Sequence, residues 1–346
     1  PKVDLRWVVF NRVGSPRHYR ILKDSLHERS KVRVIGFVPD DGELSMPERH
    51  LGLITSGDLP GSRWGKVIRR AAGLIEKHVD ISGLACRMDP AGAGRAARAL
   101  KAPVRSKPVV KIAVALDNAF CFYYEENLEM LRGFGAELEY FSPMKDRSLP
   151  KGIGGLYLGG GYPELHAKAL ESNRRLRDGI LHMAKKGLPI FAECGGLMYL
   201  GRSIEATPGA RYSMAGVFPW RSRMLKKRKA LGYREVTVAR DCPVAKEGWA
   251  VRGHEFHYSE ISRPPSGVKR VFTFFNGDEE VCEGYLYKNT LATYVHLHFS
   301  GNPAVAERFV NACAAFKRGS GVRERTMSGN DERRAEKTKN FKGAQK

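Results

Sequence analysis

The sequence predicts an α/β protein. Three observations carry that prediction: short apolar strands recur along the chain, amphipathic helical stretches fall between them, and the later strands run into glycine-rich turns. Residues 5–13 read as a buried strand, and Tyr19, Ile21, Leu22 and Leu26 then give an apolar helical face. Val32 to Pro39 is a second apolar strand, stopped by its proline. One further helical pattern covers residues 63–88 through Val67, Ile68, Ala71, Leu74 and Ile75. The stretch Pro90 to Pro108 is rich in Ala, Gly, Arg and Pro without patterning, and reads as an interdomain linker.

A second α/β series starts at Val109. Val109 to Leu116 is a strand, and Glu125 to Phe134 is a helix with Leu128, Leu131 and Phe134 on one face. Gly152 to Leu158 leads a strand into Gly159-Gly160-Gly161, Asn173 to Lys186 is helical, and Leu188 to Ala192 is a short buried strand. This order implies an open, mostly parallel sheet. Arg234 to Ala239 and Gly284 to Leu297 alternate more, which suggests an antiparallel extension. The expected boundaries are a first domain over 1–90, a linker over 91–108, a second domain over 109–316 and a tail over 317–346.

Composition narrows the functional classes. Of 346 residues, 42% are hydrophobic and 28% charged, which is globular rather than disordered. No apolar run approaches the ~18 residues of a membrane-spanning helix, so no membrane partner is expected. Six cysteines are scattered without a C-x-x-C pair, which disfavours a disulfide framework or a structural zinc and fits a reducing cytoplasm. The net charge of +22 points towards polyanions, but its distribution turns the reading away from nucleic acid. Part of it, ten Lys/Arg against four Asp/Glu, lies in the unpatterned tail, expected to be disordered, with no zinc-finger, homeodomain or RNA-recognition pattern beside it. A second concentration, Arg221 to Arg234, includes Arg221, Arg223, Lys226, Lys227 and Arg228. It reads either as a solvated loop or as a site for a substrate with many carboxylates or phosphates.

The most informative stretch is Pro189-Ile190-Phe191-Ala192-Glu193-Cys194-Gly195-Gly196-Leu197. An apolar strand runs into a cysteine, two glycines follow, and a helical pattern begins at once. That is the layout of a nucleophile elbow, whose small neighbours let the tip residue stand above the sheet. A helix N-terminus behind Cys194 is expected to lower its pKa and favour the thiolate. The plainer alternative is a buried structural cysteine. A thiolate needs a base, and the best candidate lies in Ala292 to Phe299, where strand alternation would put His296 and His298 on one face. Two such histidines could also bind metal, but no third ligand cluster has suitable spacing, so no metal is expected. Gly159-Gly160-Gly161 offers backbone N–H groups for an oxyanion, and Gly253 to Tyr258 is a further polar cluster, structural or catalytic.

Taken together, Phe191 to Leu200, Leu156 to Glu164, Gly253 to Ser259 and Tyr294 to Phe299 resemble the cobyrinic acid a,c-diamide synthase family. Asp117 to Tyr124, Leu231 to Glu235, Asn11 to Ser15 and Pro47 to Leu53 fit the same resemblance, which spans roughly residues 5–315 in order. It implies a P-loop-type, dethiobiotin synthetase-like domain using ATP and Mg2+, followed by a flavodoxin-like class I glutamine amidotransferase domain. Glutamine and a tetrapyrrole polycarboxylate are the implied substrates, and the a and c acetate carboxylates of cobyrinic acid the implied amidation sites. Sirohydrochlorin or nickel-sirohydrochlorin amidation is the near alternative, and an inactive truncated fragment another. Carried over residue by residue, Cys194 is the nucleophile, His296 its base, and Gly160, Gly161 and Gly195 surround the oxyanion. Asn11 falls on the nucleotide-base side. The sequence departs from the pattern twice. A G-x-x-x-x-G-K-[ST] loop is absent, so a partner chain carrying it, or a homodimer, is an expected association. The usual His-x-Glu reads His296-Leu297-His298, which leaves His298 or Glu255 to orient the imidazole.

Overall fold

The computed structural model describes residues 5–27, 31–45, 61–86 and 107–319. Two compact units divide the chain, Pro1–Ala99 and Leu100–Lys346.

In the first unit, strand β1 (Trp7–Val13), helix α1 (Pro16–His27) and strand β2 (Arg33–Pro39) follow in the expected order, and the two strands pair in parallel. Tyr19, Leu22 and Leu26 are half-buried, at helical spacings of three and four, whereas Ile21 falls off that stripe and is exposed. The helical pattern read over 63–88 is two helices. α2 (Gly61–His78) ends where Val79 bridges to Gly36, and Asp80 starts α3 (Ile81–Ala85) by accepting the Gly83 N–H at 2.8 Å. The expected linker lies outside the described residues as far as 106.

The second unit is built on a ten-stranded sheet. Its parallel part holds β3 (Val110–Ala115), β4 (Ala136–Phe141), β5 (Gly155–Leu158), β6 (Ile190–Glu193) and β15 (Thr290–Thr293). Their spatial order, β4-β3-β5-β6-β15, is the flavodoxin-like 2-1-3-4-5 arrangement. The inner strands β3, β5 and β6 are nearly continuous apolar runs because both their faces are covered, whereas edge strand β4 alternates and exposes Glu137 and Tyr140. Ala113, Ala115, Leu156, Leu158, Ile190 and Ala192 enter one core, while Ile112, Val114, Tyr157 and Phe191 enter the other. Helix α4 (Glu125–Gly133) places two glutamates in its first turn, where the helix dipole favours them, and buries Asn127, Leu128, Met130 and Leu131.

Beyond β15 the sheet continues antiparallel through β14 (Glu279–Tyr287), β13 (Lys269–Asn276), β10 (Ala230–Val238), β11 (Ala250–His257) and β16 (His296–Leu297). This extension follows the alternation of the sequence, since Val251, Gly253, Glu255 and His257 are buried on one face of β11. The segment from Ala292 to Phe299 is not one strand. It leaves β15 at Thr293, turns, and pairs only His296 and Leu297 with β11, because its two ends serve opposite halves of the sheet. A second, four-stranded sheet contains β7 (Ser203–Thr207), β8 (Ala210–Ser213), β9 (Arg221–Met224) and β12 (Ser259–Ile261). The last described helix covers 304–319 and so runs past 316, where the tail was expected to begin.

Candidate active site

Cys194 stands between β6 and a short helix, α7 (Gly195–Leu200), at the carboxyl end of the parallel strands. Its backbone adopts φ 48° and ψ −96°, a conformation that costs a residue with a Cβ of order 1–3 kcal/mol and persists only where the surroundings enforce it. The enforcement is visible. The Cys194 N–H donates to Thr293 O at 2.7 Å, and the Gly196 N–H to Gly159 O at 3.0 Å. A Cβ at position 196 would lie 2.4 Å from Leu158 O, so the elbow admits only glycine there.

The glycine turn after β5 reaches the same place. A Cβ at Gly195 would lie 3.1 Å from the Gly161 nitrogen, and one at Gly160 would lie 2.5 Å from Cε1 of His296. Cys194, the Gly160–Gly161 turn and His296 are therefore gathered around one point, at the crevice an open α/β sheet leaves beyond its strand ends. The three glycines differ in what they offer. The Gly160 N–H is taken by Phe122 O at 3.1 Å, closing a small antiparallel bridge, so this amide is not free for an oxyanion. The Gly161 N–H has no partner among the described residues, and the Gly195 N–H hydrogen-bonds the Cys194 sulfur. Gly160 contributes room for the imidazole rather than a donor.

Electrostatics here run against the expectation of a resting thiolate. Burial pushes the Cys194 thiol up to about 12, helped by the negative charge of Glu164, and the Gly195 N–H only partly offsets this. A helix as short as α7 adds little dipole. Burial likewise pushes the His296 imidazole down to about 3, with His254 and His257 acting in the same direction. The resting pair is a neutral thiol and a neutral imidazole. His296 is 4% exposed, stacks on His254 with centroids 4.7 Å apart, and meets the Phe122 ring edge at 4.9 Å. Its Nδ1 is buried without a hydrogen-bond partner among the described residues.

Neither residue suggested as the orienting group does so. His298 caps a short turn after β16, donates its N–H to Arg252 O at 2.9 Å, and packs edge-on against Tyr124 at 4.7 Å. Glu255 follows His254 on β11 and so lies on the opposite face from the ring that stacks on His296. Its carboxylate accepts from Arg234 Nε at 2.6 Å, and His257 Nε2 lies 3.8 Å away. These partners outweigh burial and hold Glu255 below the usual carboxylate range. His257 in turn stacks on Tyr294 at 3.8 Å, and its Nδ1 meets Ser259 O at 2.8 Å.

Instead, the groups that hold the base are Glu193 and Asn127, which the sequence reading missed. Glu193 Oε1 accepts the Leu297 N–H at 2.7 Å, and its Oε2 accepts the Tyr157 hydroxyl at 2.6 Å. Asn127 donates to Leu297 O at 2.7 Å and accepts the Phe299 N–H at 2.8 Å. A third buried group, Glu283, accepts the Thr293 hydroxyl at 2.5 Å and the Tyr294 N–H at 2.7 Å, fixing the turn between β15 and β16. The one signal in the sequence was a carboxylate closing an otherwise apolar strand, directly before Cys194.

The basic cluster lies beside this site. Arg221, Arg223, Lys226, Lys227 and Arg228 are all exposed, and Arg223 is committed to Glu260 at 2.5 Å. The Leu225 N–H donates to Tyr258 O at 2.6 Å and the Lys229 N–H to His257 O at 3.0 Å, while Phe256 O lies 3.9 Å from the Cys194 sulfur. The cationic loop thus runs along the strand that backs the nucleophile.

Asn11 is exposed on β1, and its Oδ1 accepts the Arg12 N–H at 3.0 Å. Among the described residues no group of three or more His, Cys, Asp or Glu is arranged to hold a metal ion. No G-x-x-x-x-G-K-[ST] run falls among them, and no described residue is assigned to ATP or Mg2+. No helix among them is long and apolar enough to cross a membrane.

A flavodoxin-like sheet with a cysteine elbow, a facing glycine turn and a histidine from a late strand defines the glutamine amidotransferase class. Residues 111–304 match the CobB/CobQ-like glutamine amidotransferase domain. The chain is 38% identical over 323 residues to the cobyrinate a,c-diamide synthase of Dehalococcoides mccartyi, covering 91% of this chain and 69% of that protein. The enzymes of the same name from Caldanaerobacter subterraneus subsp. tengcongensis and Synechococcus sp. are each 39% identical, over 91% and 90% of this chain and 69% and 68% of their own. The chain belongs to the cobyrinate a,c-diamide synthase family.

Proposed function

We propose that this chain releases ammonia from glutamine at Cys194 for the amidation of the a and c acetate carboxylates of cobyrinic acid, in cobalamin biosynthesis. The observation that carries the glutaminase reading is the convergence of a strained cysteine elbow, the Gly161 and Gly195 amides and His296 at one strand end. Cys194 Sγ attacks the side-chain carbonyl carbon of glutamine as His296 takes the thiol proton. The oxyanion is received by the N–H groups of Gly161 and Gly195. The C–N bond then breaks, His296 returns the proton to the leaving ammonia, and water hydrolyses the glutamyl thioester to glutamate. Because thiol and imidazole are both neutral at rest, the proton moves only when glutamine is in place. An orphaned buried atom such as His296 Nδ1 costs about 1–3 kcal/mol, which fits a ring kept free for proton transfer.

ATP and Mg2+ enter this reading through family membership alone, for activating the acceptor carboxylate. The partial P-loop character of the first unit has the same basis, and its parallel β-α-β start agrees with it. The relatives named above act on cobyrinate, which favours that acceptor over sirohydrochlorins. The exposed cations along 221–228 suit a ring bearing many carboxylates. The direct test is glutamate release from glutamine by the purified chain, with mass spectrometry for a glutamyl adduct on Cys194. A wild-type chain that neither releases glutamate nor forms the adduct overturns the reading.

A further inference from the structure

The base of this site lacks the carboxylate two residues on that usually orients it, yet the backbone just after it is held by buried side chains. Three of the four hydrogen bonds involved come from two buried side chains far away in sequence. Glu193 takes the Leu297 N–H at 2.7 Å, and Asn127 spans Leu297 O at 2.7 Å and the Phe299 N–H at 2.8 Å. The fourth, from the Tyr157 hydroxyl to Glu193 at 2.6 Å, fixes the carboxylate itself. Glu193 is 2% exposed and Asn127 fully buried, so neither is there to meet solvent. A buried carboxyl is costly, and an apolar residue beside Ile190, Phe191 and Ala192 on this inner strand would avoid that cost.

We propose that Glu193 and Asn127 are positioning residues for the base, acting through the backbone of Leu297 in place of a carboxylate on the imidazole. The inference rests on reading Cys194 and His296 as the glutaminase pair. Glu193 is covalently next to Cys194, and its side chain grips the residue next to His296. One residue thereby sets the separation of nucleophile and base from both ends. Rotation of the 296–297 peptide would swing the imidazole away from the space left by Gly160, where a Cβ would lie only 2.5 Å from Cε1. Asn127 holds the two peptide units that follow, through Leu297 O and the Phe299 N–H, so the chain cannot yield from that side.

The experiment is steady-state glutamine hydrolysis by the full chain, with Glu193→Ala, Glu193→Gln and Glu193→Asp compared with wild type. Misplacement of a reacting group by about 1 Å costs about 10²-fold, so Glu193→Ala should lower kcat by that order with KM for glutamine nearly unchanged. Glu193→Gln should recover most of kcat, because its Oε1 still accepts the Leu297 N–H and its Nε2 donates to the Tyr157 oxygen. If circular dichroism finds the alanine variant unfolded, Glu193→Asp decides: it keeps the charge but draws the oxygens back from Leu297, and kcat should fall at constant KM. An unchanged kcat, or a loss confined to KM, overturns the proposal. Failure of the underlying reading looks different, since wild type and Cys194→Ala would then be equally inactive.

Discussion

The parallel and antiparallel halves of the large sheet meet at the site and contribute by different means. From β5 and β6 come backbone features: a strained elbow at Cys194 and close glycine contacts at Gly160, Gly161, Gly195 and Gly196. From β11 and β16 come side chains in stacks, His254 on His296 and His257 on Tyr294. The first half is covered on both faces except at its edge strand β4, where Tyr140 is exposed, while the second carries exposed Leu231, Tyr233 and Phe275. The more covered half carries Cys194 and the Gly161 and Gly195 amides proposed to receive the oxyanion. The more open half carries His296, the proposed base, and borders the exposed cationic segment. Buried carboxylates, Glu193 and Glu283, sit at the seam and lock the two together.

The comparison breaks most completely if the parallel half is not the chemical one. Cys194→Ala should reduce glutamine hydrolysis by at least about 10³-fold while leaving circular dichroism and the melting temperature close to wild type. Residual hydrolysis near the wild-type rate would show that the elbow is structural. Gly160→Ala tests the contact between the halves. The added methyl would lie 2.5 Å from His296 Cε1, which forces the ring or the turn to move. The expected outcome is about a 10²-fold loss in kcat, read in the same assay, without loss of the Gly161 donor. Full activity in that variant would mean His296 is not the base.

How much of this was legible in the sequence follows the same division. The elbow and the glycine turn are contiguous motifs, so Cys194, Gly161 and Gly195 were found by spacing, and β3, β5 and β6 by unbroken apolar runs. β4, interrupted by Glu137 and Glu139, was not read as a strand, and β15, expected within the antiparallel extension, pairs in parallel with β6. The antiparallel extension followed from alternation around Arg234 to Ala239. What spacing could not give is the set of hydrogen bonds from Asn127 and Glu193 to Leu297, across 170 and 104 residues. These depend on which strands become neighbours, and a lone Asn or Glu carries no mark of it. The split at Thr293 was hidden for a related reason: Ala292 to Phe299 has a strand's composition, but its halves pair with β6 and β11. The direction of the Cys194 shift was misread because a helix start is visible in sequence, whereas depth of burial and the nearness of Glu164 are not.

The seam itself predicts a pH dependence of stability. Burial pushes the carboxyls of Glu193 and Glu283 up to about 8 each. Their folded-state values lie above the unfolded ones, so the folded chain binds more protons and loses stability as pH rises towards 8. Between about pH 6.5 and 8 the two carboxyls outweigh His296, whose lowered folded value gives an opposite slope that fades as its unfolded form loses its proton. The melting temperature should therefore fall across that window. Glu283→Gln should flatten the fall, since the amide still accepts the Tyr294 N–H and has nothing to titrate. An identical slope in wild type and variant would show that Glu283 is already ionised and compensated.

The smallest effects are expected on the open side, at the cationic loop. Arg223 is partly neutralised by Glu260, whereas Arg221, Lys226, Lys227 and Arg228 have no ion pair with the described residues. Each is exposed, so a contact between one of them and a ring carboxylate is worth only about 0.2–1 kcal/mol, and single substitutions should be hard to detect. Neutralising Lys226, Lys227 and Arg228 together should weaken binding of cobyrinic acid to the full chain by a summed amount of about 0.6–3 kcal/mol, about 3- to 150-fold, with a steeper loss at low salt than at high salt. Glutamine hydrolysis should be unaffected, because all three are exposed and solvent and salt screen their field, whereas Cys194 and His296 are buried. A triple variant that binds the tetrapyrrole normally would leave the loop a solvated surface. One that lost glutamine hydrolysis instead would move the boundary between the two halves, making the loop part of the glutaminase site itself.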